Sequence, residues 1–422
     1  MSRMDFESQQ TNMETPNSGG WSELPMDILR SVFERMSFVD FHRAKIVCLN
    51  WYLCSKQTLP RKTGSPWMIL FPEDDGCVLY NPDEARVYRT KRDFSGIRFL
   101  ANSRNWFLVL DSKSNLYIID VFSEKRFNLP PLESIKSGHF SLKRVRDKEF
   151  NFRLYKNYAG YLTYNNVVDL RGILWVDEKK EEYIVAWFLD SHATFIAFCK
   201  NGEHHHRTIP TFIDVDVELQ GARDIVLWGR DTLYVYTTLL YIRLVDLSGQ
   251  EGYKDVSSSD KSPFSLRSPP SDFEIVEALP YRARGRISRN KNIAVTTSGE
   301  VLLVESIIYG YGTTKHMIFH LYKKDPNPNP DDILYNLNSL VEVDSLGDDA
   351  ILLDLGITLH ADHSTLGIEP NFIYFTLHDR VDCPREHSYL NICVFNLGTK
   401  TLKRFPELSN LKLKDARWFL PY

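Results

Sequence analysis

The chain has 422 residues, 43% of them hydrophobic and 25% charged, which is ordinary globular composition with apolar material for a large core or several small ones. A formal net charge of -4 is close to neutral for this size and excludes a global basic field that would hold nucleic acid or an anionic membrane. The six cysteines (Cys48, Cys54, Cys77, Cys199, Cys383 and Cys393) form no C-x-x-C pair, which argues against a zinc site and against a disulfide framework.

Residues 1–20 are rich in Ser, Asn, Gln and Thr, carry no apolar stretch that would serve as a secretory signal, and are predicted to be a disordered tail. No stretch reaches the roughly 18 apolar residues that span a bilayer. A reducing compartment, cytoplasm and/or nucleus, is therefore expected, with no membrane partner.

Residues 21–60 change character and predict helices. Leu24, Ile28, Leu29, Val32, Phe33 and Met36 cover an arc of roughly half a helix circumference at about 100° per residue. Pro25 suits the first turn of that helix, and Asp27 suits its positive end. Ser37-x-x-Asp40 reads as a capping box opening a second helix, with Phe41, Ala44, Val47 and Cys48 facing inward and Trp51 on a short third segment. About forty residues rarely build a self-sufficient core, and the first arc is wider than one intramolecular neighbour needs. Two readings fit this pattern equally: a module completed by a partner, or a cap packed on the next domain.

The run Leu24-Pro25-x-Asp27-Ile28-Leu29-x-x-Val32-Phe33-x-Arg35-Met36-Ser37-x-x-Asp40-Phe41-x-Arg43-Ala44-x-x-Val47-Cys48-x-x-Trp51 closely resembles the F-box motif, without gaps. It departs at Met36, where Leu is commoner, and at Leu49, where a basic residue usually follows the Cys. The resemblance implies docking on a Skp-type adaptor, and through it on a cullin. The residues expected to carry that docking are Leu24, Pro25, Ile28, Leu29, Val32, Phe33, Met36, Val47, Cys48 and Trp51.

From Pro66 onward the pattern becomes short strands separated by turn residues, in keeping with 25 Phe, 21 Tyr and 8 Trp. Five segments share one plan, an apolar strand, a turn-starting residue and a returning strand. Their turn-starting residues are Asn81, Asp120, Lys200, Asp246 and Asn396, with gaps of 39, 80, 46 and 150 residues. These approximate one, two, one and three or four copies of a period of about 40–50 residues, which suits four-stranded propeller blades. The expected fold is a small all-α module followed by an all-β domain, residues 66–422, forming a β-propeller of about seven blades, with six or eight also compatible. The segments NWFLVLDSKSNLYIIDVFSEKRFNLPPL, SLGDDAILLDLG, NFIYFTLHD and NICVFNLGTKTLKRFP are similar to strand pairs of plant F-box proteins with a KIB-type β-propeller. That resemblance implies a plant source, a Skp–cullin–F-box assembly and no catalytic site in this subunit.

Other features have plain structural readings. His204-His205-His206 cannot converge on one ion from a strand and reads as a solvated hairpin. Tyr309-Gly310-Tyr311-Gly312-Thr313-Thr314 lacks the ending of a phosphate-binding loop and reads as a hairpin. The basic runs Arg282, Arg284, Arg286, Arg289, Lys291 and Lys143-Arg144-Val145-Arg146 read as solvated loops, with nuclear import or phosphate binding as alternatives. The apolar C-terminal end is expected to close the ring: Trp418 and Phe419 should pack near residues 67–71, with late strands near 392–397 and 401–406. No G-x-S-x-G, H-E-x-x-H or P-loop motif occurs, and no cofactor or metal is expected. The reading is a non-catalytic substrate receptor of a ubiquitin ligase whose protein target the sequence leaves unknown. The alternative is a propeller enzyme, or a sugar or small-molecule binder, with a helical cap that docks on nothing.

Overall fold

The structure, a computed structural model, describes residues 20–58, 65–72, 76–89, 94, 96–137, 140–154, 161–164, 170–189, 195–211, 221–238, 240, 242–249, 252–257, 288–311, 314–327, 340–360, 368–377, 391–408, 411 and 413–421. The expected tail, apart from Gly20, lies outside these residues, as do Arg282, Arg284, Arg286 and Cys383. The chain divides into two compact units, Met1–Lys62 and Thr63–Tyr422.

The first unit is helical. A 3-10 turn, Trp21–Glu23, leads into α1 (Met26–Arg35), α2 (Phe38–Ala44) and α3 (Leu49–Gln57). The Ser37 side chain accepts a hydrogen bond from the Asp40 main-chain N–H at 3.2 Å and donates to the Asp40 carboxylate at 2.7 Å, so the capping box opens α2. That helix stops at Ala44. The Ile46 and Val47 N–H groups bond back only three residues, to the Arg43 and Ala44 carbonyls, which breaks the helical period. Val47 is consequently 56% exposed rather than inward as its spacing predicts.

The second unit is β-rich. Its first sheet holds β1 (Trp67–Pro72), β2 (Val78–Asn81) and β3 (Arg86–Arg89), and its second β4 (Arg98–Ser103), β5 (Trp106–Leu110), β6 (Leu116–Asp120) and β7 (Arg126–Asn128). A three-stranded sheet follows: β8 (Phe140–Arg146), β9 (Glu149–Leu154) and β10 (Tyr161–Tyr164). Two four-stranded sheets come next. One contains β11 (Leu170–Asp177), β12 (Glu182–Leu189), β13 (Phe195–Lys200) and β14 (Arg207–Pro210). The other contains β15 (Ala222–Trp228), β16 (Thr232–Thr237), β17 (Ile242–Asp246) and β18 (Lys254–Asp255). The last sheet has nine strands. Its first half is β19 (Ser288–Val295), β20 (Val301–Tyr311), β21 (Thr314–Lys324) and β22 (Leu340–Glu342). The hairpin β23 (Asp349–Leu352) and β24 (Ile357–His360) joins it to β25 (Phe372–Leu377), β26 (Asn391–Asn396) and β27 (Thr401–Arg404). β28 (Leu413–Phe419) then pairs antiparallel with β1, setting Phe419 opposite Trp67 and Trp418 opposite Met68. The C-terminal strand thus completes the first sheet, as expected from its apolar end.

Alternation of side chains explains why the strands read as continuous apolar runs. On β12, Tyr183, Val185, Trp187 and Leu189 face one core cluster, and Ile184, Ala186 and Phe188 face the next. Each such strand is buried on both faces by neighbouring sheets. The clusters follow one another. The sheet of β4–β7 meets that of β11–β14, which meets that of β15–β18, which meets β19 and β20. β20 and β21 then meet β25 and β26, which meet β1, β2 and β28. Phe107 and Phe419, with ring centroids 5.2 Å apart, and Phe71 and Phe99, 4.5 Å apart, link the first sheet to the second. The succession returns to its start. Small antiparallel sheets closed head to tail agree with a β-propeller-like fold.

The turn-starting residues also have a physical role. The Oδ1 atoms of Asn81, Asp120, Asp246 and Asn396 accept from main-chain N–H groups two or three residues on, at 2.7 to 3.0 Å. At Lys200 the arrangement is reversed: its N–H donates to the Glu203 carboxylate at 2.9 Å. Each stands where the penultimate strand of a sheet turns into its edge strand.

Two expectations change in detail and a third holds. His204 is exposed, but His206 is fully buried. The Trp187 indole N–H donates to its Nδ1 at 3.3 Å, and its Nε2 lies 3.0 Å from the Pro130 carbonyl. Burial pushes the His206 pKa down to about 4, so the ring is neutral with its proton on Nε2. Arg289 and Lys291 lie on β19, not in a loop, and Lys143 to Arg146 lie on β8, where the Arg144 guanidinium bonds the Glu133 carboxylate at 2.8 Å. Tyr309 to Thr314 does form a hairpin, with Tyr311 paired to Thr314; Gly312 and Thr313 lie outside the described residues.

Candidate functional site

The helical module is built around Leu29, Phe33, Phe41, Ala44, Trp51 and Cys54. The Phe33 ring meets Phe41 and Trp51 edge-on, with centroids 5.1 and 5.6 Å apart. α3 also ties down the N-terminal segment. The Trp51 indole N–H donates to the Trp21 carbonyl at 2.8 Å, and the Asn50 amide donates to the carbonyls of Ser22 and Leu24, both at 3.1 Å. These bonds fix the start of α1 although no side chain caps it.

The structure divides the ten residues expected to dock. Leu29, Phe33 and Trp51 are buried inside the module, and Leu24, Val32, Met36 and Cys48 are half-buried against its core. Pro25, Ile28 and Val47 are exposed. Five more large apolar side chains, Trp21, Ile46, Leu49, Tyr52 and Leu53, face solvent and are missing from the expected set. Leu49 is 72% exposed. Their signal was present: 49, 52 and 53 follow the i, i+3, i+4 spacing of one helix face, with Ile46 and Val47 leading into it. Water-facing leucines at that spacing form a surface that a second apolar surface can cover.

No group of three or more His, Cys, Asp or Glu among the described residues could hold a metal ion. No helix among them is long and apolar enough to cross a membrane.

Comparison with known proteins covers both units. A family model described as the F-box domain matches residues 21–62, and one described as the KIB1-4 beta-propeller matches residues 79–396. Among Arabidopsis thaliana proteins, the chain is 56% identical to F-box protein At5g25290, over 95% of this chain and 96% of the relative. It is 48% identical to F-box protein At2g14290, over 97% of this chain and 99% of the relative. It is 33% identical to F-box protein KIB4, over 97% and 98%. With the motif, the helical module and the closed succession of sheets on one chain, the protein belongs to the plant F-box proteins that carry a KIB-type β-propeller.

Proposed function

We propose that the chain is the substrate-receptor subunit of a Skp–cullin–F-box ubiquitin ligase, in which residues 21–60 dock on a Skp-type adaptor and residues 66–422 recruit the protein to be tagged. The observation that carries this reading is the concentration of exposed apolar side chains on the helical module. The subunit performs no bond chemistry of its own. It holds target lysines near the thioester of a charged conjugating enzyme, a proximity effect that replaces a bimolecular encounter. The cytoplasm and/or nucleus is the working compartment.

Within the module, the division of the ten residues implies two roles. Pro25, Ile28 and Val47, joined by Leu49, Tyr52 and Leu53, contact the adaptor; Leu24, Val32, Met36 and Cys48 flank that contact. Leu29, Phe33 and Trp51 hold the helices at the angle that presents it.

We read the propeller as six-bladed, at the lower end of the expected range. Support comes from the long gaps between turn-starting residues. The 80-residue gap from Asp120 to Lys200 contains β8–β10, a sheet whose Leu142 and Phe150 pack against the cluster between two blades. The 150-residue gap from Asp246 to Asn396 contains one further turn of the same kind, where Asp325 Oδ1 accepts from the Asn327 N–H at 2.8 Å.

Affinity purification of the tagged protein from plant cells, followed by mass spectrometry, tests the function. Adaptor and cullin should co-purify with the native chain and be lost with the Leu24→Ala, Pro25→Ala double variant, while the target protein is retained. Undiminished adaptor recovery with that variant would contradict the docking assignment.

A further inference from the structure

Where the first sheet meets the last, residues of β2, β25, β27 and β28 line a cavity of about 200 Å³. Its walls are aromatic: Tyr80, Tyr374, Phe405 and Trp418, packed edge-on or tilted with ring centroids 5.3 to 6.0 Å apart. Three carboxylates line it as well, Asp83, Glu369 and Glu407, against two cations, Lys403 and Arg404. Asp83, Glu407, Lys403 and Arg404 are exposed, whereas Tyr80, Tyr374 and Trp418 are buried. The charges therefore stand at the mouth, with the rings behind them.

The carboxylates differ in their partners. Lys403 donates to Glu369 at 3.2 Å. Asp83 and Glu407 have only neutral partners among the described residues. The Ser65 N–H and hydroxyl donate to Asp83 at 2.7 and 2.6 Å, and the Tyr80 hydroxyl donates to Glu407 at 3.4 Å. One further positive charge makes the lining neutral.

The phenols add a second requirement. Burial pushes the Tyr374 pKa up to about 12, and burial together with the Glu407 charge raises that of Tyr80, so both keep their protons. Tyr374 Oη accepts from the Glu369 N–H at 3.1 Å, but its own proton has no acceptor among the described residues. A buried donor without an acceptor is costly, and a main-chain carbonyl would satisfy it.

We propose that this cleft takes a lysine or arginine side chain from an extended segment of the target protein, with a neighbouring main-chain carbonyl accepting from Tyr374. The inference rests on the reading of the propeller as the part that recruits the target. Lysine and arginine combine an apolar stem, which covers the rings, with a cationic head that stays at the mouth with Asp83 and Glu407. The volume is below the roughly 300–1,000 Å³ of small-molecule pockets, which suits one side chain better than a whole small molecule.

The test uses the full chain purified with its adaptor and three capped pentapeptides, Gly-Gly-X-Gly-Gly, where X is arginine, lysine or citrulline. Citrulline keeps the shape of arginine without its charge. In ligand-observed NMR titrations a cationic peptide should bind saturably, and citrulline about tenfold or more weakly. The tighter of the two cationic peptides names the side chain. The Asp83→Asn, Glu407→Gln double variant should weaken that binding about tenfold or more. The Glu124→Gln, Glu178→Gln variant, which removes the same charge from exposed turns of other sheets, should bind like the native chain. If the first double variant melts early, single Glu407→Gln serves in its place. The peptides report on the propeller and adaptor recovery on the module, so failure of this proposal leaves the ligase reading standing, and failure of adaptor docking leaves this one. No saturable binding of either cationic peptide, citrulline binding as tightly as arginine, or equal weakening in the cleft and turn variants overturns the proposal.

Discussion

Ten large apolar side chains are exposed among the described residues, and seven of them belong to the short helical module; only Val87, Val145 and Tyr253 belong to the far larger propeller. The propeller has neighbours for both faces of strands such as β12, because successive sheets pack on one another and the last strand returns to the first. The module has three short helices and one small cluster, so apolar residues beyond Leu29, Phe33, Phe41 and Trp51 have nothing of their own to pack against. Burying each large apolar side chain contributes roughly 1.5–3 kcal/mol, and seven left in water are a substantial reserve for association. One unit is complete in itself; the other is completed by a partner.

The comparison breaks most visibly if the ring is opened. Deleting residues 415–422 removes most of β28, including Trp418 and Phe419, both fully buried, each contributing roughly 2–3 kcal/mol. Against a total stability of about 5–15 kcal/mol, the propeller should unfold or aggregate in a thermal melt while adaptor pull-down through the module persists. An unchanged melting temperature would show that β28 does not hold the ring.

A smaller effect is expected inside the module. Trp51→Ala removes an edge-on contact with Phe33 and the bond to the Trp21 carbonyl, and should cost about 3–5 kcal/mol of module stability. Circular dichroism of residues 20–62, with and without adaptor, should show helix lost alone and partly restored by the partner.

The propeller should also respond to acid through His206. Its folded pKa of about 4 lies below the usual 6.5, so between those values the unfolded chain takes up a proton that the folded chain refuses. Stability is full above about pH 6.5 and falls as pH drops toward 4, by about 3 kcal/mol from this group. Denaturant titrations across that window should show a shallower pH slope for His206→Gln than for the native chain; parallel slopes would remove His206 from the account. The smallest effect belongs to the turns. Asn396→Ala deletes the 2.9 Å bond to the Thr399 N–H and should cost about 1 kcal/mol, measurable as a shifted denaturant midpoint.

Much of this was legible in the sequence for physical reasons. The helices of the module show because one face is apolar, and the ring closure shows because a chain end carrying Trp418 and Phe419 needs burial. Periodicity alone does not separate Ile28, which is half exposed, from Leu29, which is buried, because both fall within one apolar arc. Leu49 looked like a departure from a motif and proves to start the most exposed apolar face. Gap lengths could not show that β8–β10 form a sheet of three strands rather than four, since both are short strands between turns. The meeting of Arg98 and Arg417 was illegible for another reason: they line one cavity only because the ring closes.

The most direct test of the division between a self-sufficient ring and a partner-dependent module is a calorimetric titration of the full chain with a Skp-type adaptor. Native protein should be compared with an Ile28→Asp, Leu53→Asp double variant, which charges the exposed apolar face and leaves the buried cluster intact. Losing two such contacts should weaken binding by about a hundredfold or more, with the melting temperature of the propeller unchanged. Equal affinities for the two proteins would contradict the claim that this exposed face is what the partner covers.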